Sequence, residues 1–142
     1  MRSIHFFVED TTFLLKEKAK VREWIVSTIK SEGFERVGEL NFIFCSDAYL
    51  LEINKQYLNH DTFTDIVTFD SSEYEDTIAG DIFISVDRIS ENAEKFAVPF
   101  RDELHRVIIH GVLHLCGFHD KKPDDKKQMT AKEDEYLGKR TF

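Results

Sequence analysis

The chain has 142 residues, 42% of them hydrophobic with thirteen Phe, and no run apolar enough to cross a membrane, which predicts a single globular domain over residues 1–142. Its formal net charge of −8 excludes broad, non-specific nucleic-acid binding through the bulk surface and leaves only a local contact open. The opening stretch MRSIHFFVED turns acidic at Glu9 and has no apolar segment ending in small residues, so it is no export signal, and Cys45 and Cys116 are expected as reduced thiols of a cytoplasmic protein.

IHFFVED reads as a first strand. Lys16–Glu32 carries Val21, Trp24, Ile25 and Ile29 at helical spacing, and Gly33 ends it. ELNFIFCS alternates as a strand does. Ser46 and Asp47 can cap a helix through AYLLEINKQYL, with Leu50, Ile53 and Tyr57 on one side. DIVTFD and GDIFISV are short β-rich runs separated by the polar loop Ser71–Ala79, and are expected to lie side by side. DRISENAEKFA is amphipathic. Pro99 opens PFRDELHRVIIHGVLHLCG, in which Leu104, Val107, Ile108, Val112 and Leu115 make a buried stripe and Gly117 is the stop. Pro123 sits in the first turn of a last helix, DDKKQMTAKEDEYL. Strands gathered early and helices late predict an α+β fold: a small mixed four-stranded sheet packed against several helices.

The chemistry concentrates in His110–Asp120, HGVLHLCGFHD. Residues i and i+4 on a helix differ by about 40° in azimuth, so His110 and His114 point the same way with Cβ atoms about 5–6 Å apart. That separation lets two imidazoles share one metal ion. Gly117 lets the chain reverse behind the pair, and either His119 or Asp120 can then close a three-ligand site. Such a site keeps a fourth position for water, the arrangement of catalytic zinc. Cys116 follows His114 by two residues and points off this face. His105 lies about 140° from His110 and is expected as a surface or partly buried residue. His5 and His60 are expected to be ordinary. The zinc peptidase pattern H-E-x-x-H needs a glutamate directly after the first His, and Gly111 stands there, so peptide hydrolysis is excluded.

HGVLHLCGFHD resembles the motif H-G-x-L-H-L-x-G-[YHF]-D-H of the YbeY-type endoribonucleases, bacterial rRNA maturation factors, and matches it through Phe118. Thr64–Asp70, TDIVTFD, is similar to the family segment T-D-V-L-S-F, and Gly80–Ser85, GDIFIS, to its G-D-I-x-I-S strand. Asn54 and Tyr57 match the preceding helix, and Met129 with Glu133 matches a downstream M-x-x-x-E. The resemblance implies a zinc-dependent, single-strand-specific endoribonuclease acting in rRNA maturation, including processing of the 16S 3′ end, and in ribosome quality control. It implies one zinc ion per chain, with single-stranded rRNA and a ribosome or ribosomal subunit as partners and neither DNA nor membrane among them. The family's third ligand is a histidine ten residues beyond the first. Here that place holds Asp120, so position assigns the set His110, His114 and Asp120. The general acid and base stay unassigned. The family's Tyr-Arg pair is Tyr57-Leu58 in this chain, and Leu58 cannot contact phosphate. The alternative is therefore a ribosome-assembly binding factor with a mainly structural metal and little nuclease activity.

Overall fold

In the computed structural model, which describes residues 3–59 and 63–142, the β-rich runs form one mixed sheet. Its strands are β1 (Ile4–Glu9), β2 (Arg36–Cys45), β3 (Ile66–Asp70) and β4 (Thr77–Ser85), in the order β1-β2-β4-β3. β1 runs parallel to β2 and β2 parallel to β4, while β3 is antiparallel to β4. The two segments expected to be adjacent are therefore neighbours, with Ile66 opposite Ile84 and Asp70 opposite Gly80. The helices are α1 (Lys18–Ser31), α2 (Asp47–Leu58), α3 (Val86–Lys95), α4 (Phe100–Leu115) and α5 (Pro123–Leu137). This is the α+β architecture that the sequence predicts.

Local signals set the helix ends. Ser46 and Ser85 are N-caps, each accepting a hydrogen bond from a backbone N–H three residues on, at 3.1 Å. Pro123 occupies the first turn of α5, where a missing N–H costs nothing.

Alternate side chains of a strand go to opposite faces. Leu40, Phe42 and Phe44 of β2 and Ile82 and Ile84 of β4 share one face and are fully buried in the main core. α4 lies on that face, with Ile108, Ile109, Val112 and Leu113 fully buried. Each such side chain contributes roughly 1.5–3 kcal/mol of burial. A smaller cluster on the opposite face joins Cys45, Leu50 and Val67 to Tyr49, Ile53, Phe69 and Phe83. Gly111 brings α4 close to the sheet: a Cβ there would stand 2.8 Å from Ile66 Cδ1 and 3.1 Å from Ile82 Cγ2.

Two expectations need correction. β4 begins at Thr77, inside the stretch expected to be loop through Ala79. Thr77 and Ile78 pair with Arg36 and Val37 across a bulge before Leu40, and an irregular register hides the alternation that marks a strand. His105 is a core residue, 3% exposed. Its ring packs 5.7 Å from Trp24 and 5.2 Å from Phe142, and Arg140 Nη1 lies 2.7 Å from its Nδ1. Burial, followed by the charges of Arg140 and Arg101, lowers its pKa to about 4 and keeps it neutral. His5 is a half-exposed partner of Glu39, as an ordinary surface histidine should be. His60 lies outside the described residues. Cys45 and Cys116 are free, and burial pushes both thiols up to about 12. Among the described residues, no helix is long and apolar enough to cross a membrane.

Candidate metal centre

The site is built on the last two turns of α4 and the loop that follows. His110 and His114 present their Nε2 atoms 3.0 Å apart. Gly117 then takes the left-handed conformation with φ 105°, which a residue with a Cβ rarely adopts. Its N–H donates to the His114 carbonyl at 3.0 Å, and the Phe118 N–H reaches back to the Leu113 carbonyl at 3.1 Å. That glycine-capped ending turns the chain over the histidine face. Asp120 Oδ2 arrives 3.2 Å from both Nε2 atoms. Among the described residues, His110, His114 and Asp120 form the group whose ligand-type atoms all lie within 4.8 Å of one another. His119 is exposed and does not join them. Cys116 stays outside as well.

The far side of each imidazole is committed. Glu133 Oε2 on α5 lies 2.6 Å from His110 Nδ1, and the Phe118 carbonyl lies 3.0 Å from His114 Nδ1. A carboxylate and a carbonyl accept hydrogen bonds, so in the neutral rings that bind a metal both Nδ1 atoms carry the proton and both Nε2 atoms offer lone pairs. Three acceptors thus converge with no donor between them. Left alone, that arrangement is repulsive; a cation in the middle makes it favourable. Zinc bonds of about 2.0–2.1 Å in a tetrahedron place ligand atoms about 3.3 Å apart, close to the separations found. Two imidazoles, a carboxylate and an open side therefore fit a divalent ion of zinc's type, and Glu133–His110 is the carboxylate–histidine pairing that steadies such ligands.

Burial alone would lower the His110 pKa, but the Glu133 hydrogen bond and the charges of Glu133, Asp120 and Asp65 outweigh it and raise it. An open cleft beside the triangle is lined by Asp65, Glu103, Arg106, Val107, His110, Asp120 and Glu133. Burial raises the pKa of Asp65, and burial with the neighbouring Asp65 charge raises that of Glu103.

Of the residues the motif points to, the structure brings His110, His114 and Asp120 together and leaves His119 exposed. The motif missed the surroundings. Glu133 was matched only as part of a pattern, and Asp65 only inside TDIVTFD. Glu103 and Arg106 carried a signal of their own: with His110 and His114 they stand at i, i+3, i+7 and i+11, one stripe of α4.

The chain matches the family model described as Endoribonuclease YbeY over residues 6–141. A protein of Cytophaga hutchinsonii named Endoribonuclease YbeY is 49% identical over 140 residues, covering 99% of this chain and 97% of its own length. A protein of the same name from Flavobacterium psychrophilum is 53% identical over 131 residues, covering 92% of each chain. The solution structure of a Thermotoga maritima protein superposes with a TM-score of 0.65 at 29% identity, over 94% of this chain and 86% of that one.

Proposed function

The chain belongs to the YbeY endoribonuclease family, and from that premise we propose that it is a zinc-dependent endoribonuclease that hydrolyses single-stranded RNA at the His110–His114–Asp120 centre. The observation that carries this reading is the convergence of two histidine Nε2 atoms and one Asp120 oxygen at 3.0–3.2 Å, with both Nδ1 protons held from behind.

Each residue has a part. His110 and His114 hold the ion through Nε2. Asp120 adds a negative charge and closes the third place. Glu133 and the Phe118 carbonyl keep the two Nδ1 protons where they are, so neither ring can rotate its lone pair away. A divalent ion bound there supplies Lewis-acid polarisation of a phosphoryl oxygen and lowers the pKa of water. The open cleft suits an unstacked backbone better than a duplex, which favours single strands. Asp65 and Glu103 line the same cleft as carboxyl groups outside the ligand set. The biological setting we propose is the cytoplasm, in rRNA maturation at the 16S 3′ end and ribosome quality control, on a ribosome or ribosomal subunit.

One observation favours the second reading, an assembly factor with a structural metal. Leu58, at the place of the family's arginine, ends α2 as an exposed apolar side chain. The deciding experiment incubates single-stranded RNA with zinc-loaded protein, with the same preparation after chelation, and with His114→Ala. Cleavage only by the loaded wild type supports the enzyme. Zinc bound without cleavage by any preparation supports the assembly factor.

A further inference from the structure

Arg106 stands one helical turn before His110 on α4 and lines the same cleft as His110, Asp120 and Glu133. Its guanidinium is held at two points. Nη1 donates to Glu133 Oε1 at 2.8 Å and Nη2 to Asp134 Oδ1 at 2.7 Å. A guanidinium has five N–H donors, and the remaining ones have no protein partner among the described residues. The side chain is 36% exposed.

The Glu133 anchor is 8% exposed and its pair with Arg106 offsets a buried charge, whereas the Asp134 anchor is 61% exposed and adds little to folding. What the two anchors supply is orientation, because a fork fixed at both terminal nitrogens loses little further freedom when it binds. The cleft around it is otherwise acidic. Asp65, Glu103, Asp120 and Glu133 line it, and among the described residues Arg106 is the one permanently charged cation in the lining. A phosphodiester approaching the metal centre meets those carboxylates and needs a counter-charge beside the ion. The guanidinium fork matches two phosphate oxygens at once.

We propose that Arg106 grips a phosphate of the single-stranded RNA next to the metal centre. This rests on the reading given above as the function. Arg106 thereby has two faces: one holds Glu133, which orients His110, and the other meets the substrate.

The test uses the full chain, zinc-loaded, with a fluorescein-labelled single-stranded RNA, under conditions in which gel electrophoresis detects no cleavage. Arg106→Met and Arg106→Lys are compared with the wild type by fluorescence anisotropy over a salt series, and the zinc affinity of each by competition with a chromogenic chelator. Arg106→Met is expected to bind RNA about tenfold more weakly. The slope of log affinity against log salt should shrink by about 0.7, the share of one phosphate on a single strand. Arg106→Lys keeps the charge and loses the fork, so it should restore the slope and only part of the affinity. Zinc affinity should change less than RNA affinity in both. An unchanged slope in Arg106→Met, or RNA affinity that falls only as zinc affinity falls, overturns the proposal and reduces Arg106 to an anchor of Glu133. A wild type that binds neither zinc nor RNA would instead overturn the reading of the whole site, and this one with it.

Discussion

Glu133 on α5 and His110 on α4 meet at 2.6 Å, carboxylate oxygen to Nδ1, across 23 residues of chain. The contact decides which nitrogen of His110 faces the cleft. Glu133→Gln keeps an acceptor but removes the charge that strengthens the ring as a ligand. Zinc affinity is expected to fall about 10- to 100-fold with the fold intact. Chelator competition alongside circular dichroism measures both. Unchanged affinity would mean that Glu133 serves packing alone.

The loop after Gly117 yields a paired prediction. Asp120→Ala should empty most of the site, whereas His119→Ala, whose side chain is exposed, should leave it loaded. His110→Ala and His114→Ala should each abolish stoichiometric zinc by elemental analysis. If His119→Ala loses the metal and Asp120→Ala keeps it, the ligand set is wrong.

Stability should fall in mild acid because of His105, which is not part of the His110–His114–Asp120 group. The folded pKa of His105, about 4, lies below the ordinary histidine value of 6.5 that applies to the unfolded chain. The unfolded chain therefore binds a proton that the folded chain refuses. Stability from this group is complete above pH 6.5 and is lost as pH drops through the window down to about 4. The steepest loss is roughly 1.4 kcal/mol per pH unit. His105→Gln keeps an acceptor for Arg140 and cannot titrate in this range. Urea unfolding of both proteins at pH 7 and pH 5 should show a flatter dependence in the variant; parallel lines would contradict the assignment.

The two glycines in the core should differ sharply. A Cβ on Gly80 would sit 2.2 Å from the backbone oxygen of Phe69, which belongs to the sheet and cannot step aside. Gly80→Ala is expected to cost about 3 kcal/mol or more. A Cβ on Gly111 meets side-chain atoms only, the far end of Ile66 at 2.8 Å and Ile82 Cγ2 at 3.1 Å, and alanine improves helix propensity by about 1 kcal/mol. Gly111→Ala should therefore cost less than Gly80→Ala in urea melts. Equal losses would refute the distinction.

Both thiols should ignore a dithiobenzoate reagent in the native state and react fully after denaturation, since burial pushes each to about 12. Fast reaction of Cys116 in the folded protein would show the α4 ending to be looser than its hydrogen bonds imply.

The sequence is most readable where chemistry is local. The pair His110 and His114, the stop at Gly117 and the serine caps act within a turn or two of themselves, and pattern alone finds them. His105 was misplaced because its azimuth relative to His110 says only that it faces elsewhere. That elsewhere turned out to be Trp24 and Phe142, contributed by distant segments. Glu133 and Asp65 reach the cleft from α5 and from the residue just before β3, and no periodicity on α4 announces them. The start of β4 was lost to a bulge in its partner. Tertiary pairing decides all three, and it has no signature in a window of a dozen residues.

The carbonyl of Phe118 orients His114 while the amide of the same residue closes α4. One peptide segment thus sets the helix end, a ring orientation and the arrival of Asp120. Backbone atoms perform the first two tasks, which therefore depend little on side-chain identity, while the Phe118 ring packs against the core and lies 5.7 Å from Lys132 Nζ. The number of residues is not free. An insertion or deletion there would move the helix end and the carboxylate out of phase with each other, so the geometry fixes the count of residues from Gly117 to Asp120.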